Sequence, residues 1–158
     1  MIGYALSEEQ GYQLNIALED LLVESEAQAL FISDYGGNII AHVSIDNDDF
    51  METVAALAAG SFSATRELAG FIGEKSFHSV YHKGDESSIY IQCIAKEFLV
   101  LAILGKNVTQ GLAKLYIDKA CSRIEPILTD TIGQSVESAF GAGTMDTPFE
   151  FKKETDVF

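Results

Sequence analysis

The side chains able to do chemistry are few, and their spacing does not suit it. The three histidines are His42, His78 and His82. His78 and His82 share one strand face but stand about 13 Å apart at strand rise, too far to chelate a single metal. Asp46, Asp48 and Asp49 resemble the opening of a calcium loop, yet that motif's glycine and closing glutamate are missing. A solvated acidic loop accounts for them better. Gly105-Lys106 is followed by asparagine and has no glycine five residues upstream, so it is a loop rather than a phosphate cradle. Neither cysteine nor any serine has a recognisable base partner. Cys93 and Cys121 lie far apart and form no CxxC, which fits reduced structural thiols in a cytosolic protein. No acid pair has a catalytic spacing. Asn107-Val108-Thr109 matches a glycosylation sequon, but Glu8 and Glu9 sit where a secretory leader would be basic and then apolar. The expectation is a chain with no catalytic constellation, no metal and no cofactor: not an enzyme.

Composition narrows the partners. The 158 residues suit one domain, and with 47% of them hydrophobic a sizeable core is within reach. A net charge of −14 argues against nucleic acid and anionic membrane, which both require a basic patch. Arginine occurs twice, as Arg66 and Arg123. The longest apolar run, Phe98 to Leu104, is far short of a bilayer span.

The elements follow from periodicity and turn chemistry. Ser7 and Gln10 fit a capping box, and Leu14, Leu18, Leu21 and Leu22 continue a helical stripe to Ser25. Gln28 to Ser33 and Ile39 to Val43 read as a hairpin around Asp34-Tyr35-Gly36-Gly37-Asn38, where two glycines and an asparagine supply positive φ. Ser76 to Lys83, Ser87 to Ile94 and Phe98 to Leu104 read as a meander. The last of these strands is apolar throughout, so both its faces must be covered. The Ser76 strand mixes polar with apolar residues and suits an edge. A final helix spans Gln110 to about Gly133, where Pro126 should kink or restart it. The order α-β-β-α-β-β-β-α, with helices for both sheet faces, implies an α+β fold in three layers.

The helix Met51 to Ile72 is dense in alanine and free of proline. At roughly 100° per residue, Val54, Leu57, Leu68 and Ile72 fall on one side, with Met51, Phe62 and Phe71 at its edges. That side reads as the core stripe, and the opposite side, with Glu52, Ala56, Ala59, Ser63 and Gly70, is short and nearly smooth. A smooth helical strip admits another backbone closely, so it reads as a protein-contact face; burial on both sides is the alternative.

The hairpin text ALFISDYGGNIIAH and the helix text AALAAGSFSATRELAGFIGE, followed by the meander, resemble the roadblock family, and within it the bacterial MglB group. The resemblance covers roughly Ser7 to Gly133. It implies a roadblock domain over residues 1–133, with a five-stranded antiparallel sheet between one helix and two, and an extension over 134–158. It also implies a homodimer joined through the edge strand (Phe77, His78, Ser79, Val80, Tyr81) and through paired central helices. In MglB-like proteins that helix pair receives one Ras-like GTPase of the MglA type. The GTPase-binding residues would then be Glu52, Ala56, Ala59, Ser63, Arg66, Glu67 and Gly70. The implied activity is stimulation of GTP hydrolysis without an arginine finger, with an effect on nucleotide exchange through the tail. The setting would be a cytoplasmic bacterial polarity or motility system, concentrated at a cell pole. Arg66 reads on its own as a solvated rim charge. Phe149, Phe151 and Phe158 stand among charges, a composition that docks on a partner or stays disordered. A roadblock adaptor with no effect on nucleotide turnover is the alternative.

Overall fold

The computed structural model describes residues 6–46 and 49–141, the stretch 134–141 as helical backbone only. The sequence expectations at Asp48, Phe149, Phe151 and Phe158 lie outside the described residues. The elements run α1 (Glu8–Ser25), β1 (Ala27–Asp34), β2 (Ile39–Ser44), α2 (Met51–Phe71), β3 (Ser79–Lys83), β4 (Ser87–Ile94), β5 (Phe98–Gly105) and α3 (Gln110–Gly141). All five strands join one antiparallel sheet in the order β2-β1-β5-β4-β3. The central pair, β1 and β5, is the one whose sequence is apolar on both faces. One layer of core lies between the sheet and α1 with α3, and a second lies between the sheet and α2. The three-layer architecture that the resemblance implies is therefore present, with one helix on one face and two on the other.

Local chemistry sets the ends of these elements. Ser7 Oγ accepts from the Gln10 N–H (3.1 Å) while Gln10 Oε1 accepts from the Ser7 N–H (2.9 Å), closing the capping box of α1. In the first hairpin, Asp34 Oδ1 accepts from the backbone of both Gly36 and Asn38 (2.9 Å each), so one carboxylate organises the turn. Gly73 adopts φ +77 past the end of α2, and the Glu74 N–H reaches back to the Ala69 carbonyl (2.9 Å).

Three sequence expectations are corrected. First, α3 neither stops at Gly133 nor restarts at Pro126; one helix runs through both to Gly141. Pro126 deprives the Ser122 carbonyl of its donor, but both residues face solvent, so water replaces the bond. Second, the edge strand begins at Ser79. Phe77 and His78 precede it, and only the His78 carbonyl still bonds β4, through the Cys93 N–H (2.9 Å). Third, the inward side of α2 is turned by about a quarter of the helix from the expected stripe. Met51, Ala55, Ala59, Phe62 and Ala69 are the buried residues. Leu57 is 70% exposed, Leu68 56% and Ile72 65%, and Val54 alone of the expected stripe touches the core, half-buried. Phe31, Leu99 and Leu101 already fill the space above the sheet, so the helix settles on its small residues with Phe62 filling the gap.

The hairpin turn also fixes α2. Gly37 sits at φ +83, and a Cβ added there would lie 2.6 Å from Ala56 Cα. No L side chain fits between these backbones. Gly37→Ala should therefore cost about 1–3 kcal/mol through strain and displacement of α2, seen in thermal denaturation as a Tm lower by about 2–12 °C.

Candidate functional site

The surface of α2 divides into three arcs once its buried side is known. The first arc leans toward the β1–β2 hairpin: Ala56 abuts Gly37, and the Arg66 guanidinium lies 4.8 Å above the Tyr35 ring centre. Arg66 is thus a stacked cation, where the sequence reads only a solvated rim charge. Tyr35 in turn packs on Phe62 (6.1 Å between ring centres) and its hydroxyl lies 2.9 Å from Cys93 Sγ. Burial, then the Cys93 contact, pushes the Tyr35 phenol up to about 12, so the ring under Arg66 stays neutral. Ser63, Arg66 and Glu67 converge with Tyr35, Lys75 and Ser76 on a cleft of about 280 Å³. Glu52 lines a separate groove of about 730 Å³ with Gly37, Asn38, Ile39 and Met51.

The second arc is the crest. Ala56, Gly60 and Ala64 recur there at helical spacing, Glu67 and Gly70 flank them, and all are exposed. Phe71, at 88% exposure, ends the crest. The smooth strip exists, but Ala59 does not belong to it: Ala59 is 1% exposed and sits against the sheet. Gly60, Ala64 and Phe71 take its place, residues that the sequence reading left out.

The third arc faces away from the hairpin, toward β4 and β3. Val54 and Ala58 pack there with Val80, Ile89 and Cys93, and the exposed Leu57, Leu68 and Ile72 rise above them. Alongside runs β3, an edge strand of the sheet. Both the Cys93 N–H to His78 carbonyl bond and the Gly84 N–H to Ser87 carbonyl bond (2.9 Å each) place even-numbered β3 residues in hydrogen-bonded pairs with β4. Those pairs alternate along an antiparallel ladder, so Ser79, Tyr81 and Lys83 turn their backbone groups outward. Tyr81 packs on Tyr90 (6.4 Å) and donates to Ser88 Oγ (3.1 Å) on the α1–α3 side, which leaves Val80 and His82 on the α2 side. An exposed apolar arc and an open strand edge thus lie over the same core on one face of the sheet.

Two ionisable groups on α3 have shifts with clear physical causes. Asp118 pairs with Lys114 and accepts from Gln92 Nε2 (3.0 Å), contacts that hold its carboxyl below the usual range. Burial first, then Asp118, raises the Cys121 thiol to about 12, so it is a poor nucleophile. Among the described residues no three His, Cys, Asp or Glu side chains converge on a metal position.

A family model for the Roadblock/LC7 domain matches residues 14–104. The chain belongs to that family. Among solved structures, this roadblock chain is similar to Myxococcus xanthus MglB, with 25% identity, a TM-score of 0.74, and coverage of 80% of this chain and 96% of that one. The gliding protein mglB of Thermus thermophilus shares its fold, with 24% identity, a TM-score of 0.73, and coverage of 79% and 95%. An uncharacterised protein of Aquifex aeolicus (strain VF5) is 22% identical over 130 residues, which span 81% of this chain and 80% of that protein. No helix among the described residues is long and apolar enough to cross a membrane.

The corrected arcs make a direct test. Ala59→Arg drives an unpaired charge into the roadblock core and should cost about 3 kcal/mol or more. Ala64→Arg, on the crest, should leave the melt within about 0.5 kcal/mol of wild type. Denaturant titrations of the two variants decide whether the inward side of α2 is the alanine side.

Proposed function

We propose that this roadblock chain is a homodimeric regulator that binds one small Ras-like GTPase of the MglA type per dimer and stimulates its hydrolysis of GTP. The observation that carries the reading is the exposed α2 apolar arc on the same sheet face as the open β3 edge. Pairing β3 with its copy satisfies the outward groups of Ser79, Tyr81 and Lys83 and covers Leu57, Leu68 and Ile72 in the same step. The two crests then stand side by side, and Ala56, Gly60, Ser63 and Ala64 let a third backbone approach closely. Glu52, Glu67 and Gly70 edge that platform. The likeness to Myxococcus xanthus MglB supports this choice of partner. Arg66 is engaged with Tyr35, so it serves the shape of the platform and does not reach into a nucleotide site. Hydrolysis is stimulated by reorganising the GTPase's own groups. The tail beyond Gly141, with Phe149, Phe151 and Phe158, contributes to the encounter and to nucleotide exchange. The setting is a cytoplasmic polarity or motility system.

The test is a single-turnover GTP hydrolysis assay with a Ras-like GTPase encoded beside this chain, run together with light scattering. Leu68→Asp should break the dimer. Ala64→Arg should leave the dimer intact and abolish stimulation, because the charge holds the GTPase off and loses its own solvation. Arg66→Ala should change stimulated hydrolysis by less than about tenfold, where an inserted arginine is worth about 10³ or more. Full stimulation by Ala64→Arg removes the platform. A dimer that binds the GTPase without changing turnover replaces regulation with an adaptor role.

A further inference from the structure

We propose that the dimer seam senses pH: protonation of His82 weakens the homodimer. This inference rests on the dimer proposed above. It begins from parity along β3. Outward backbone groups belong to Ser79, Tyr81 and Lys83, so a second β3 can pair only with odd positions facing odd positions. In every such register the even positions of both strands lie on one face, the α2 face. Centred on Tyr81, the pairing that uses the whole of Ser79–Lys83 puts His82 directly opposite the second copy's Val80. The two His82 side chains then lie diagonally across the seam, with Cβ atoms about 7–8 Å apart.

His82 is exposed in the single chain. In the dimer it enters a strip with little to neutralise it. On β3 itself its same-face neighbours are Val80 and His78, and Lys83 adjoins it in sequence. Opposite on β4 is Ile89, followed on that face by Ile91 and the thiol of Cys93. The arc of α2 above carries Val54, Leu57, Ala58, Ser61, Thr65, Leu68 and Ile72, none of them charged. The charged side chains of α2 are elsewhere: Glu52 lines the hairpin groove, and Arg66 and Glu67 line the Tyr35 cleft. In the β3–β4 turn, Glu86 is paired with Lys106 (3.6 Å), and Asp85 stands in the turn itself, past the end of β3. His78 differs, because it shares a groove with Glu74 and Asp118. The second copy contributes the same set by symmetry. An imidazolium at His82 therefore loses water, gains no carboxylate and faces its own double. Histidine is the side chain that changes charge between about pH 5 and 8.

The sign can be isolated experimentally. Acidification also reduces the net charge of −14 on each copy, which tightens any self-association. Wild type and His82→Gln share that background, and only wild type carries the histidine effect. The dimer dissociation constant of the full chain is measured by sedimentation equilibrium at about pH 8 and about pH 5.5. The ratio of the two constants (acid over neutral) should be at least about tenfold larger for wild type than for His82→Gln, equivalent to about 1.4 kcal/mol. His78→Gln should respond as wild type does. Equal ratios in wild type and His82→Gln overturn the switch while leaving the dimer standing. A monomer at about pH 8 and micromolar concentration overturns the dimer itself. A second readout guards against a general weakening by the substitution: the His82 imidazole resonance should titrate at lower pH in the dimer than in a chain made monomeric by the uncharged Leu68→Asn, and coincident titrations overturn the proposal.

Discussion

The constraint on which the molecule depends is the distance between α2 and the two central strands. β1 and β5 carry large side chains on both faces, and Phe31, Leu99 and Leu101 occupy the α2 side. A helix lying over such a surface either stands off or presents small residues to it. Here Ala55, Ala59 and Ala69 allow the close seat, and Phe62 supplies the one large plug. Gly37 locks the seat from the side, since its missing side chain leaves just enough room for the helix backbone at Ala56. Once the small residues are spent inward, the leucines have nowhere to go but out. The exposed apolar surface of the chain is thus a by-product of how its core was filled.

The opposite face of the sheet is built in an ordinary way. α1 and α3 bring Leu14, Leu18, Leu21, Ile117, Ile124 and Leu128 onto β1, β5 and β4. Two ion pairs, Arg123 with Asp20 (2.8 Å) and Lys119 with Glu24 (3.0 Å), bridge the helices at the surface. Exposed pairs of this kind are worth at most about 1 kcal/mol each. Their use is to fix the register of α3 on α1, while burial supplies the stability.

Much of this was legible in the residues. The capping box of Ser7 and Gln10, the glycine turn, the continuous apolar strands and the meander each obey a local rule that needs no knowledge of the rest. Most of the errors share one cause: the deciding partner is distant in sequence. Leu57 and Leu68 look like core residues until Phe31 and Leu101 are known to fill that space. Ala59 looks like surface until the sheet beneath it is seen. Arg66 gives no sign of Tyr35, a residue that in sequence belongs only to a turn. Pro126 marks a break by local rule, yet its effect depends on whether the Ser122 carbonyl can reach water. One signal for the outward leucines was available: α2 has two apolar arcs, and one layer of sheet can use only one of them.

The unbroken course of α3 has a mechanical meaning. Its 32 residues make a rod about 48 Å long. A straight rod of this kind magnifies motion at its root: a tilt of about 10° where α3 crosses α1, near the Arg123–Asp20 contact, moves the Gly141 end by about 4 Å over a lever of about 25 Å. Had Pro126 interrupted the helix, that tilt would be absorbed at the joint; with the helix unbroken it is carried along the axis.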